Sequence, residues 1–149
     1  MKYKLPVSVL VVVHTQQLEV LLLERTARPG YWQSVTGSLD WPGEPLEDAA
    51  AREVLEETGI AAAQGKLARW NAANTFEVYA QWRNRFAPGV VYNTEHVFGL
   101  ALAGPPPIVL ADDEHDAFAW LPWREAAEKC FSWSNRDAIR MLGERAVIS

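Results

Sequence analysis

Residues 45–59, "PLEDAAAREVLEETG", form a stretch that fits little besides one helix with both ends marked. Pro45 suits a first turn, where its missing N–H costs no hydrogen bond, and Glu47 and Asp48 complement the N-terminal end of the helix dipole. Gly59 stands where a helix stops on a left-handed residue. At about 100° per residue, Glu53, Glu56 and Glu57 gather within roughly a third of the circumference. Ala50, Ala51, Val54 and Leu55 make a separate apolar arc able to pack on a sheet, and Arg52 lies beside the acidic one. Three like charges at i, i+3 and i+4 repel by roughly tenths of a kcal/mol per pair in water, and by more when partly buried. Either the arc is a solvated face, or something positive sits among its carboxylates. Mg²⁺ is one candidate, since it favours carboxylate and phosphate oxygens together.

Around that helix the chain reads mostly as strands. "VSVLVVVH" (7–14) and "VLLLER" (20–25) are β-rich apolar runs joined by a short polar link, as in a hairpin. "WQSVTG" (32–37) is a short strand ending at a glycine. "TFEVYAQW" (75–82) alternates, "RNRFAPG" (83–89) is a loop, and "NTEHVFGLAL" (93–102) and "EHDAFAWLP" (114–122) are further strands. "WREAAEKC" (123–130) and "SNRDAIRMLGERAV" (134–147) read as helices, the second opened by a Ser134 N-cap. Strands before, between and after helices imply an α/β (α+β) chain, with a mixed sheet covered by helices on both faces. The 149 residues suit one domain, 1–149. Most of Trp32, Trp70, Trp82, Trp120, Trp123 and Trp133 are expected in the core or half-buried. Trp41 belongs to the loop before the helix.

Composition closes off several functions. A formal charge of −5 argues against a nucleic-acid-binding face. It leaves room for a phosphorylated small molecule met by local cations. The longest apolar run, 7–13, is interrupted by Ser8 and too short to cross a bilayer, and the first residues lack the apolar region of a secretory signal. No membrane partner and a cytoplasmic setting are therefore expected. Cys130 is the only cysteine, which excludes an internal disulfide and a Cys-rich zinc site. His14, His96 and His115 have no metal-ligand spacing, and only His115, next to Glu114, invites attention. With no Cys-His pair and no nucleophile elbow, metal-activated water would suffice as nucleophile. Monomer and homodimer both remain open.

Residues 37–60, "GSLDWPGEPLEDAAAREVLEETGI", closely resemble the Nudix box, the signature of hydrolases that cut a nucleoside diphosphate linked to another group X. The order is Gly37, Glu44, seven residues, Arg52-Glu53-Val54, one residue, Glu56-Glu57, one residue, Gly59-Ile60. That family usually places five residues between its first glycine and first glutamate. Here "SLDWPG" supplies six, in a loop where length change is tolerated, which leaves the helix spacing intact and the role of Glu44 open. The resemblance implies the Nudix fold, an α/β/α sandwich with a mixed central β-sheet. It implies Glu53 and Glu57 as leading ligands of Mg²⁺, with Mn²⁺ able to substitute, and Glu56 as a further ligand or a base through water. Arg52 would orient a glutamate, and Gly37 would allow a turn close to the phosphates.

Outside the box, "KLPVSVLVV", "YWQSVTGS" (31–38), "RFAPGVVYNTE" (85–95), "EHDAFAWL" (114–121) and "SWSNRDAI" (132–139) resemble one bacterial branch of the family. Its members act on dihydroneopterin triphosphate in folate biosynthesis. The implied reaction is water attack at the α-phosphorus, giving dihydroneopterin monophosphate and pyrophosphate. The resemblance implies Glu114 as a distant carboxylate completing the metal site or acting as base, with Asp112 and Asp113 as neighbours easily confused with it. Lys4 and Arg25 would meet the phosphates, Thr36 and Ser132 would line the pocket, and Phe76, Glu77, Val78 and Tyr79 would wall the ring. Arg83 and Arg85 are either phosphate contacts or solvated loop charges. Two alternatives stand beside this reading: the same chemistry on a purine nucleotide, dATP especially, and a nucleotide-binding domain without catalysis.

Overall fold

The computed structural model describes residues 2–148. Seven strands form a mixed sheet: β1 (Val7–Thr15), β2 (Glu19–Arg25), β3 (Trp32–Gln33), β4 (Val35–Ser38), β5 (Lys66–Glu77), β6 (Tyr92–Leu102) and β7 (His115–Pro122). The order is β3-β2-β1-β6-β5, with β4 also paired to β1 and β7 to β2. The long central strands β1 and β6 are parallel, from Val7 beside Thr94 to Thr15 beside Leu102, and the remaining strand pairs are antiparallel. Three helices, α1 (Leu46–Thr58), α2 (Trp123–Lys129) and α3 (Trp133–Ile148), complete the fold.

Strand alternation divides the core in two. Val9, Val11 and Val13 of β1, with Phe98, Leu100 and Leu102 of β6, pack with Ala49, Ala50 and Val54 of α1. Leu10 and Val12, with Val97, pack on the other side with Ala126 and Ala127 of α2 and Ile139 and Leu142 of α3. Helices therefore cover both faces, as the element order requires. β1 is apolar at nearly every position because both of its faces are buried. Among the described residues no helix is long and apolar enough to cross a membrane.

Several boundaries differ from the sequence expectation. The strand expected at 75–82 starts at Lys66 and ends at Glu77, and Ala80–Arg85 is a 3₁₀ helix. "KLARWNAAN" hides its strand because β5 is an edge strand in which Trp70 alone is fully buried. Trp70 packs against Gly99, where any Cβ would collide with its ring. Asn71, at φ 56°, marks an irregularity between Arg69 and Ala73 against β6. The segment 32–37 is two short strands, since Ser34 leaves the ladder to donate its N–H to Asn135 Oδ1 at 2.8 Å. The α3 cap is Ser132 rather than Ser134: the Asn135 N–H donates to Ser132 Oγ at 3.3 Å. Trp133 is 46% exposed, unlike the other five tryptophans expected to be core or half-buried.

α1 follows its end signals. Gly59, at φ 77°, closes the helix in the left-handed conformation with its N–H on Leu55 O. Its buried face is rotated from the expected apolar arc, however. Ala49, Ala50, Val54, Glu57 and Thr58 are inside, while Leu55 is 54% exposed. The sheet thus covers one glutamate of the acidic arc and leaves a leucine in solvent, an exchange that runs against burial energetics unless Glu57 has work to do.

Candidate active site

The loop before α1 and the helix itself are tied by Arg52. Its Nε and Nη2 donate to Glu44 Oε2 and Oε1 at 3.1 and 3.0 Å, Nη2 also to Ser38 O at 3.1 Å, and Nη1 to Glu53 Oε1 at 2.7 Å. Asp40 Oδ2 is 3.2 Å from Nε, and Glu56 Oε2 is 3.5 Å from Nη1. Glu44 is buried, and its hydrogen bonds with Arg52 hold its carboxyl below the usual range. Burial opposes the charge on Arg52, yet its bonds to Glu44 and Glu53 outweigh that and raise its pKa. The six-residue spacing therefore leaves Glu44 firmly placed, in a turn where its N–H donates to Trp41 O at 3.1 Å.

Arg52 turns Glu53 toward β4. A Cβ on Gly37 would overlap the Glu53 carboxyl. Gly37 is accordingly needed for close approach to a carboxylate within a strand, and not for the turn near phosphates that was expected. Glu57, one turn further on, is almost fully buried, and no N–H or hydroxyl donor reaches either of its oxygens. Burial pushes its carboxyl well above the usual range, helped next by a proton shared with the Glu53 carboxyl and then by repulsion from Glu53 and Glu114. Burial also raises Glu53, against the pull of Arg52. Two carboxyls set side by side, both raised by burial, make a pairing that a cation would relieve.

The opposite wall comes from the start of β7. A register shift between Glu24 and Arg25 places Arg25 beside His115, and the Thr26 N–H holds Glu114 O at 2.9 Å. His115 is buried, with Nε2 3.7 Å from Glu57 Oε1. Burial, then Arg25, lowers its pKa to about 4, so it faces Glu57 as a neutral imidazole. Ligand atoms of Glu57, Glu114 and His115 all lie within 4.8 Å of one another, close enough to hold one metal ion. The unpaired oxygens of Glu57 and the neutral ring of His115 fit such an ion.

These groups open on a cavity of about 840 Å³. Its cationic side is formed by Lys4, Arg25 and Arg85. Desolvation by the cavity walls, then repulsion from Arg85 and Arg25, lowers the pKa of Lys4. Desolvation followed by Arg85 does the same to Arg25, whose Nε has no partner and whose guanidinium lies 5.0 Å over the Trp82 ring. Cations that repel each other beside raised carboxyls suit a polyanion arriving with metal.

A NUDIX domain model matches residues 4–142. The chain belongs to the Nudix family. It is 46% identical over 143 residues to a dihydroneopterin triphosphate diphosphatase of Escherichia coli K12, covering 94% of this chain and 93% of the relative. It is 34% identical to the protein of the same name in Haemophilus influenzae, covering 94% and 89%. The structure of the E. coli dihydroneopterin triphosphate pyrophosphohydrolase superposes with a TM-score of 0.87 at 45% identity, over 95% of this chain and 97% of that one.

Nudix hydrolases use divalent metal ions, and the Glu57, Glu114 and His115 group is where this Nudix chain could hold one. Of the residues singled out in the sequence, Lys4, Arg25, Thr36, Gly37, Glu53, Glu57, Phe76, Glu77, Val78, Tyr79, Glu114 and Ser132 all line the one cavity. Arg52 and Glu56 do not line it. Arg52 stands behind Glu53, and Glu56 is largely exposed beside Arg52. Asp113 reaches the cavity together with Glu114, whereas Asp112 does not; Arg85 does, whereas Arg83 pairs with Glu77 at 3.1 Å. The sequence reading missed His115 as a site residue and missed Asn93, Glu95 and Asn135 altogether. One signal was available. In "NTEHV", Asn93 and Glu95 fall in phase with buried Val97, and polar residues at core-facing strand positions are seldom structural.

Proposed function

We propose that this Nudix chain is an Mg²⁺-dependent pyrophosphohydrolase acting on dihydroneopterin triphosphate, with Mn²⁺ able to replace Mg²⁺. The observation that carries the proposal is the shape of one cavity. Raised carboxyls and cations share it with aromatic side chains, so a polyphosphate and a flat ring can be held at once. The names of the E. coli and H. influenzae relatives support the choice of substrate.

In this reading water attacks the α-phosphorus and the bond from that phosphorus to the α–β bridging oxygen breaks. Water oxygen ends on dihydroneopterin monophosphate, and pyrophosphate leaves. Glu53, Glu57 and Glu114 are the carboxylates assigned to the metal. A bound divalent ion supplies acidification of water and neutralises polyphosphate charge. Glu57 or Glu114 accepts the proton that water loses. Lys4, Arg25 and Arg85 hold the phosphate oxygens, and neutral His115 is a further ligand available to the metal beside Glu57 and Glu114. Arg52 acts at one remove by fixing Glu53, and Glu56 by sharing Arg52. Thr36, Glu77, Val78, Tyr79 and Ser132 line the cavity around the ring, and Phe76 meets Trp133 edge-to-face at 6.2 Å to make an aromatic corner.

The test is product analysis with purified substrate. Dihydroneopterin triphosphate should give monophosphate and pyrophosphate with Mg²⁺ and neither with chelator, at a kcat/KM above that for dATP. Stepwise loss of orthophosphate would contradict the reaction, a tenfold or greater preference for dATP would contradict the substrate, and equal activity in chelator would contradict the metal.

A further inference from the structure

The sheet face beneath α3 changes character along its length. Leu10, Val12 and Val97 fill the core there, and the same two rows of side chains continue into the cavity as Ser8, Asn93 and Glu95. All three are buried. Ser8 sits opposite Glu95 in the parallel ladder, and Asn93 Nδ2 donates to Ser8 Oγ at 2.8 Å. That bond fixes the Asn93 amide and leaves its Oδ1 without a partner, as is Oε1 of Glu95. Among the described residues only the Ser134 hydroxyl bonds the Glu95 carboxyl, and burial raises its pKa to about 7.

A buried carboxyl with one oxygen unpaired is costly, and a hydrophobic residue of similar volume would be cheaper. It is not part of the metal seat. Glu53 and Glu57 come from α1 on the opposite face of the sheet, whereas Glu95 comes from the α3 side, near the aromatic corner of Phe76 and Trp133. Two buried acceptors therefore line the cavity on the α3 face of the sheet, apart from the α1 carboxylates, where a ring would lie.

We propose that Glu95, assisted by Asn93, is the specificity-determining residue that reads the hydrogen-bonding edge of the ring, selecting heterocycles with an amino group beside a ring N–H. This rests on reading the cavity as a site for a ring-bearing triphosphate. The 2-amino-4-oxo edge of a pterin has these two adjacent donors, and so does guanine. Adenine instead sets an amino donor beside a ring acceptor. The ionised carboxylate accepts from both donors of the first kind, whereas the bare nitrogen of the second needs the neutral acid, which a pKa of about 7 leaves only in part. Mismatches of this sort are heavily penalised when the protein group is buried.

Glu95→Gln keeps the shape and turns one acceptor into a donor, which matches adenine and mismatches pterin and guanine. Steady-state kinetics of both proteins on dihydroneopterin triphosphate, dGTP and dATP give the test. The variant should lose at least roughly tenfold in kcat/KM on the first two, mainly through KM, and change less than about threefold on dATP. Equal losses on all three substrates would mean a structural role, and unchanged ratios would mean no contact; either overturns the inference. If Glu95→Gln does not fold, Glu95→Asp is read in the same way, because it withdraws the carboxylate without changing its chemistry. Failure of the proposed function is seen separately, in the wild-type chain on the pterin substrate. The dGTP to dATP ratio in the variant judges Glu95 whichever substrate the wild type prefers.

Discussion

Arg52 grips Glu44 through both carboxylate oxygens, Nη2 to Oε1 at 3.0 Å and Nε to Oε2 at 3.1 Å, and the pair is largely shielded from water. This clamp joins the inserted loop to the helix and leaves the remaining guanidinium nitrogen to hold Glu53. Loop attachment and the placing of Glu53 therefore share one guanidinium. The pair is buried enough for removal of one partner to strand a charge, which typically costs about 3–5 kcal/mol.

Arg52→Ala should accordingly lower unfolding free energy by about 3 kcal/mol in urea. It should weaken divalent metal binding at the same time, because Glu53 loses its orienting partner. Arg52→Lys cannot supply the two-pronged grip and should recover less than half of the stability. A variant as stable as wild type would remove the clamp from the account.

Gly37→Ala tests close approach rather than charge. The added methyl would displace the Glu53 carboxyl, so kcat should fall by about tenfold or more while the far-UV spectrum stays native. Wild-type activity in this variant would show that Glu53 need not lie against β4.

Glu114 and Asp112 are two residues apart, but Glu114 alone of the two reaches the cavity. Glu114→Ala should lower kcat by about a hundredfold or more, and Asp112→Ala by less than about twofold. Equal small losses would mean that the distant carboxylate lies elsewhere.

Metal and pH are coupled through Glu53 and Glu57. Both carboxyls are raised in the folded chain, so above the ordinary carboxylate range the metal-free folded state holds protons that the unfolded state has lost. Its stability then falls as pH rises through that window. A divalent ion needs the deprotonated form, so its stabilising effect should grow from about pH 5 to about pH 8. At a hundredfold excess over Kd it should reach about 3 kcal/mol, read as a rise in Tm. A rise independent of pH would separate these carboxyls from the metal.

The parts of this structure legible in the sequence were those with redundant local signals. α1 carries a proline, an acidic first turn and a closing glycine, and its glutamates and arginine occur at fixed offsets, so the helix and the candidate metal-binding glutamates could be read together. β1 was readable because burial on both faces makes it continuously apolar. β5 was not, because an edge strand buries too few side chains to leave a pattern. His115 drew attention beside Glu114 but no role, because Glu57 is far away in sequence and only the register shift between β2 and β7 aligns His115 with Arg25. Leu55 misled because period alone cannot show that a sheet will cover a glutamate in preference to a leucine.

The claim on which the rest depends is that Glu57 is buried to hold a divalent ion. Titration of wild type and Glu57→Gln with Mn²⁺, followed by electron paramagnetic resonance of the free ion, measures this without turnover. The account predicts that wild type binds Mn²⁺, that Mg²⁺ displaces it, and that Glu57→Gln weakens binding at least about tenfold while remaining folded. Equal Mn²⁺ affinity in the two proteins would contradict it.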